Sequence, residues 1–319
     1  MKFVFGKISV FLTVVVLCAL MFTNCASSGK GSGSLAAWKN VSYTTMSTAY
    51  IRALFYDGSN FFAAGDNGAM ARSEDGVSWI AVRSAFDATR IQAITFGGGT
   101  YVAVGDESKI SVSNDGTNWT TVSGSPVQKI LTVAFGNDMF VAGGGEGPGK
   151  IMYSRDGKSW TLAGYNEADI WTIFFADGKF IAGGTNGRMA YSTDGVTWTG
   201  IANTGFSNSD FIYAITNNGE GLWAAGGTAG AVAYSEDGIN WTGVRVPSLV
   251  SDNKDVRRMV YGNGIFLTGG YGGIMMLSSD GVTWEAAKSG FGTGFILALT
   301  FGNGRFIVAG ESGKMAFTE

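Results

Sequence analysis

The 319-residue sequence predicts an all-β fold: a seven-bladed β-propeller with four antiparallel strands per blade, the last blade closed by the N-terminal strand. Three observations predict it. The motif Ser-x-Asp-Gly-x-x-Trp recurs six times, at Asp-to-Asp spacings of 38 to 43 residues. Each interval parses into four short apolar or alternating runs separated by turn residues. The two chain ends complement each other as parts of a seventh unit. A repeat of about 40 residues with Gly and aromatic punctuation marks a propeller blade.

The elements follow in order within each repeat. The first strand opens on Ile51, Ile91, Ile130, Ile170, Ile212, Val256 and Ile296, and reaches an aromatic such as Phe96, Phe135, Phe175 or Phe301. Turns such as Asn263-Gly264 and Asn303-Gly304 come next, because both central places of a tight hairpin need positive φ. The second strand reads aromatic-x-small-x-Gly, as in Phe180-Ile181-Ala182-Gly183-Gly184. The third alternates, as in Met189-Ala190-Tyr191-Ser192, and runs into the Asp-Gly turn. The fourth starts at the motif Trp. Of the nine Trp, only Trp171 and Trp223 stand outside that motif and its Trp38 echo.

Blade seven is split. Met315-Ala316-Phe317-Thr318-Glu319 aligns with Met70-Ala71-Arg72-Ser73-Glu74, just short of an Asp-Gly turn. Trp38-Lys39-Asn40-Val41 matches Trp119-Thr120-Thr121-Val122 and supplies the fourth strand. Closure of this kind leaves no blade edge open.

The motif resembles the Asp-box (BNR) repeat of sialidase-type propellers and of several non-enzymatic propeller families, over residues 36–319. The resemblance implies a structural role. Asp75, Asp115, Asp156, Asp194, Asp237 and Asp280 would bond their own turn backbones together with the motif Ser, Gly would take the tight conformation, and Trp would pack between blades. Side-chain-to-backbone bonding of this sort is what Asp and Ser do in turns generally. These carboxylates are therefore scaffold rather than a calcium or acid–base set.

Composition narrows the function. There is no His, which removes the Ser-His-Asp triad, Cys-His dyads and His-ligated zinc. The only Cys, Cys18 and Cys25, lie near the N-terminus, so no Cys-ligated zinc and no disulfide framework follows. No metal and no cofactor is expected. A net charge of −3 with 15% charged residues speaks against a nucleic-acid partner. Lys2 and Lys7 followed by the apolar run 8–22 form an export signal, too short for a membrane span. Cys25 directly after it resembles a bacterial lipobox, with Phe22 and Asn24 where that family prefers Leu and a small residue. The resemblance implies removal of residues 1–24, lipidation at Cys25, a Ser/Gly tether over 25–35 and the propeller over 36–319. The expected setting is the bacterial cell envelope, lipid-anchored to the outer membrane or cell surface, with release after cleavage near residues 26–28 as the alternative. A monomer is expected.

Any ligand site belongs on the face opposite the Asp-Gly turns. The place after the strand-opening Ile or Val holds Arg52, Gln92, Leu131, Trp171, Tyr213, Arg257 and Leu297. Neighbouring places stay small or apolar while this one varies, beside the ring axis. Arg52, Gln92, Trp171, Tyr213 and Arg257 are therefore the candidate ligand-binding residues, suited to a carboxylate, a sugar or a protein loop. The same residues could instead plug the channel by stacking. Asp66, Asp106, Glu107, Glu146, Tyr271 and Glu311 join that face, as do the long connections bearing Phe206, Asp210, Asp252, Lys254 and Asp255.

Two functions compete. One is a non-catalytic propeller that binds a protein or glycan partner, as in the photosystem assembly and stability factors that the repeat also resembles. The other is a sialidase-like glycoside hydrolase, which needs an Arg cluster, a Tyr–Glu nucleophile pair and an Asp acid. Against the second, Tyr50-Ile51-Arg52-Ala53-Leu54 only echoes that family's Phe/Tyr-Arg-Ile-Pro segment, and Arg258 is expected on the opposite strand phase from Arg257.

Overall fold

A computed structural model describes residues 35, 37–41, 46, 48–145, 150–251 and 254–319. The expected export signal, Cys25, the expected tether as far as Ser34, Glu146 and Asp252 lie outside the described residues.

Residues Leu35–Glu319 form seven four-stranded antiparallel sheets, and each sheet is one blade. Blade 1 runs Ile51–Tyr56, Phe61–Gly65, Met70–Ser73 and Ile80–Ala81 from the axis outward. Blades 2 to 6 repeat that order from innermost strands Ile91–Gly97, Ile130–Gly136, Ile170–Ala176, Ile212–Asn217 and Val256–Gly262. Blade 7 takes Ile296–Gly302, Arg305–Gly310 and Met315–Thr318 from the C-terminal end and Trp38–Asn40 from the N-terminal end. Trp38 pairs with Thr318 and Asn40 with Ala316, as the split repeat requires. One short α-helix, Pro247–Ser251, interrupts the pattern among the described residues.

Burial explains the composition of the strands. Seven hydrophobic clusters fill the seven spaces between neighbouring blades. Between blades 1 and 2, for example, Phe62, Ala64 and Met70 meet Ile91, Ile94 and Tyr101. Between blades 7 and 1, Ile307, Ala309 and Met315 meet Ile51, Phe61 and Trp79. Each sheet is thus covered on both faces, and its inner strands read as nearly continuous apolar runs. A fully buried Phe here contributes about 2–3 kcal/mol from burial. Trp223, outside the turn motif, occupies the aromatic place of the second strand. It faces Ser235 as Phe61 faces Ser73, and is fully buried.

The repeat turns are built alike. In blade 3, Asp156 accepts the Lys158 and Ser159 amides at 2.8 and 2.7 Å, and Ser154 Oγ donates to it at 2.9 Å. The Trp160 indole donates to the Gly157 carbonyl at 2.9 Å. The turn glycines sit at φ 70–76°, the left-handed region that favours glycine. Asp75, Asp115, Asp194, Asp237 and Asp280 accept the same pair of amides in their own turns. The hairpin Asn263-Gly264, with φ of 48° and 78°, has both central residues left-handed, as its sequence predicts.

Every innermost strand carries one β-bulge, directly after its opening Ile or Val. In blade 1, Ile51 pairs with Gly65 and Ala53 with Ala64, which leaves Arg52 without a partner in the ladder. The bulge explains the glycine that ends each second strand. A Cβ on Gly65 would stand 1.9 Å from the Tyr50 carbonyl oxygen, and one on Gly184 would stand 2.0 Å from that of Asp169.

Candidate functional site

The bulged residue of each blade is the one that varies from blade to blade. Arg52, Gln92, Leu131, Trp171, Tyr213, Arg257 and Leu297 all occupy it, at the end of the ring away from the Asp-Gly turns. Freed from the ladder, the position is released from the packing that makes the other strand positions alike.

The face divides into an ionic half and an aromatic half. In blades 1 and 2, Arg52 forms a two-pronged bond to Asp66, with Nη2 at 3.2 Å from Oδ2. Arg90 bridges Asp66 at 2.8 Å and Asp106 at 3.2 Å, and Gln92 donates to Asp106 at 3.0 Å. Burial would raise the Asp66 pKa, but bonds from Arg52 and Arg90 and their positive charge outweigh it and lower the carboxyl below its usual value. This half is self-satisfied.

In blades 4 to 6 the groups are aromatic. Trp171 lies edge-on to Tyr213 at 5.4 Å and nearly parallel to Phe211 at 6.5 Å. The Arg257 guanidinium is sandwiched between Tyr213 and Tyr271, with centroids at 3.7 and 4.2 Å, and donates to Asp255 at 2.9 Å. Contacts of this type are worth about 0.5–2 kcal/mol each. Burial pushes the Tyr213 hydroxyl up to about 12, against the opposing effect of Arg257. Tyr271 packs tilted against Phe295, with ring centroids 4.6 Å apart, and both remain 37% exposed. The buried Nε of Arg257 and Nε1 of Trp171 have no hydrogen-bond partner.

Between the halves lies the channel, with a cavity of about 160 Å³. Arg52, Gln92, Leu131, Trp171 and Tyr213 line it, so the candidate positions are brought together around one axis. Arg257 turns outward to its tyrosines, and Arg258 lines the cavity instead. Arg258 thus lies on the opposite strand phase from Arg257, as expected, but it is Arg258 and not the candidate Arg257 that enters the channel, because simple alternation fails across a bulge. A signal for it was present in the repeat. The equivalent places hold Ala53, Ala93, Thr132, Thr172, Ala214 and Ala298.

The surrounding loops are mostly self-contained. Asp210 is buried and accepts the Ser207 amide at 2.8 Å, its hydroxyl at 2.7 Å and Arg245 at 2.6 Å, so it locks its loop. Phe206 packs against the cluster between blades 4 and 5. Glu107 accepts the Thr89 hydroxyl at 3.1 Å. Arg52 and Arg257 do not converge with a Tyr–Glu pair, and no carboxylate lines the channel cavity among the described residues. Nor does any group of three or more Asp, Glu, His or Cys among them hold the geometry for a metal ion.

Comparison with known proteins places the fold. The chain is similar to the solved structure of YCF48 from Cyanidioschyzon merolae, with 20% identity and a TM-score of 0.68 over 89% of this chain and 99% of that one. YCF48 bound to a D1 peptide matches at 17% identity, with the same TM-score and coverage. A catalytically inactive virginiamycin B lyase from Staphylococcus aureus with quinupristin matches at 10% identity and a TM-score of 0.75, again over 89% and 99%. At such identities the likeness is one of fold. No protein-family model and no curated protein matches the sequence.

Proposed function

We propose that this chain is a non-catalytic docking propeller of the bacterial cell envelope, lipid-anchored through Cys25, that holds a polypeptide on the face opposite its Asp-Gly turns. One observation carries the reading: Arg257 clamped between Tyr213 and Tyr271, with Phe295 half-exposed beside them. Aromatic and arginine side chains held rigid on an exposed face are the residue types that dominate binding energy at protein interfaces. A guanidinium already buttressed by Asp255 loses little freedom on binding. The peptide carried by YCF48, a propeller of the same fold, supports a polypeptide ligand over a small substrate. The ion-paired state of Arg52 and Arg257 weighs against a hydrolase that would need both for its substrate carboxylate.

The test is capture from envelope extract and on glycan arrays by a Cys25→Ser chain, beside the same chain carrying Arg257→Ala and Tyr271→Ala. Polypeptide capture that the double variant loses supports the reading. A specific glycan hit redirects it to carbohydrate. Capture that survives the double variant but fails on changes at Phe206 or Lys254 places the site on the rim. Anchoring is tested separately, by mass spectrometry of the mature N-terminus. Acylated Cys25 is expected, and an unmodified terminus at Ser27 or Ser28 would refute it.

A further inference from the structure

Arg258 is the one residue on the channel wall whose charge nothing answers. Its Nη1 donates to the Arg257 carbonyl at 2.8 Å and its Nη2 to the Arg52 carbonyl at 3.4 Å. Neither acceptor carries charge. Among the described residues it forms no ion pair, since Asp66 is taken by Arg52 and Arg90, Asp106 by Arg90 and Gln92, and Asp255 by Arg257. Burial first, then Arg257 and Arg52, lowers its pKa to about 10, which leaves it a cation at neutral pH. A half-buried cation without a counter-charge is a cost for a fold to carry. Six sister blades avoid it with Ala or Thr at the same place.

The rest of the wall is rich in donors and poor in negative charge. Trp171 lines the cavity with its ring, its indole nitrogen being buried away from it. The hydroxyl-bearing Thr132 and Thr172 line it too. Arg258 has five N–H donors, of which two are used by the carbonyls. The cavity of about 160 Å³ is worth about five waters. It is smaller than an ordinary small-molecule pocket of roughly 300 Å³ or more.

We propose that the channel is an anion site that takes one small carboxylate ion, of formate or acetate size, held by the Arg258 guanidinium. A planar carboxylate matches the guanidinium fork, which a spherical halide does not. The bound ion supplies the counter-charge that the protein omits and ties the ring's stability to anion concentration. This site does not depend on the docking reading, because the ion binds at the axis whether or not the face above carries a partner.

Thermal unfolding of the purified full chain tests it, in sodium formate, acetate, chloride or phosphate at matched ionic strength. Formate and acetate should raise the midpoint saturably by a few degrees above the chloride value. Arg258→Ala, which installs the residue of the sister blades, should fold with an equal or higher midpoint in chloride and lose the acetate response. An equal response to all four anions would overturn the proposal, as would an undiminished acetate response in Arg258→Ala. A response confined to chloride or to phosphate would overturn the ligand class.

Discussion

The two ends of the ring are made from the same strands and obey opposite rules. At the turn end, six blades use the same Ser, Asp, Gly and Trp to close the same bonds, and each carboxylate spends itself on its own backbone. At the other end a bulge lifts one residue per blade out of the ladder, and seven blades place five different residue types there. The difference teaches where a repeat protein can vary. Inter-blade packing and turn bonding constrain every blade alike, so divergence concentrates where neither acts.

The largest effect should come from opening the ring that both ends share. Deleting residues 38–41 removes the fourth strand of blade 7 and exposes the Met315–Thr318 edge. We expect a loss of at least about 4 kcal/mol and a fall in midpoint of roughly 10 °C, read by thermal unfolding. Unchanged unfolding would mean that the ends are not held by one closed ring.

Next comes the turn end. Trp241 is 2% exposed, and Trp241→Ala should cost about 3–5 kcal/mol in chemical denaturation while binding per folded molecule stays intact. Lost binding at full folded yield would erase the division between the two ends. The partly exposed Trp160 should cost less.

Binding should show the reverse pattern. Arg257→Ala with Tyr271→Ala should weaken polypeptide capture by roughly ten- to a hundredfold. Stability should fall by about 1–4 kcal/mol, the worth of the two cation–π contacts removed, with the inter-blade clusters left intact. A large loss of stability with unaltered capture would make this end scaffold as well.

The smallest effect is a single turn carboxylate. Asp156→Ala removes an acceptor of two amides and should cost about 1 kcal/mol by urea titration. Those hydrogen bonds, the Ser159 amide foremost, hold the Asp156 carboxyl down at about 2. A depressed carboxylate stabilises fully above its unfolded pKa of about 4. That contribution is lost as the pH falls toward 2. Wild-type stability should therefore drop between pH 4 and 2 with a smaller slope in Asp156→Ala, and parallel slopes would refute the assignment.

Much of this architecture was legible before any coordinates. Blade number, strand order, the Asp-Gly turns and the Trp38 closure follow from local spacing, because each blade is a short-range hairpin unit with its own turn chemistry. The variable position after Ile51 and its counterparts was legible too, as the one place where seven copies disagree. Its surroundings were not. Arg52 is spent on Asp66 of its own blade across the bulge, and Arg257 lies between its own blade's Tyr271 and Tyr213 of the blade before it, contacts that side-chain packing at the mouth decides.

Arg258 marks the boundary most sharply. The sequence by itself determined that blade 6 carries Arg where its sisters carry Ala or Thr. Only the tertiary structure decided that this charge faces the channel, because a bulge shifts the strand's alternation by one residue. And only closure of the ring brought the Arg52 carbonyl within reach of Arg258 and gathered seven blades around one cavity, since no local pattern encodes what meets across an axis.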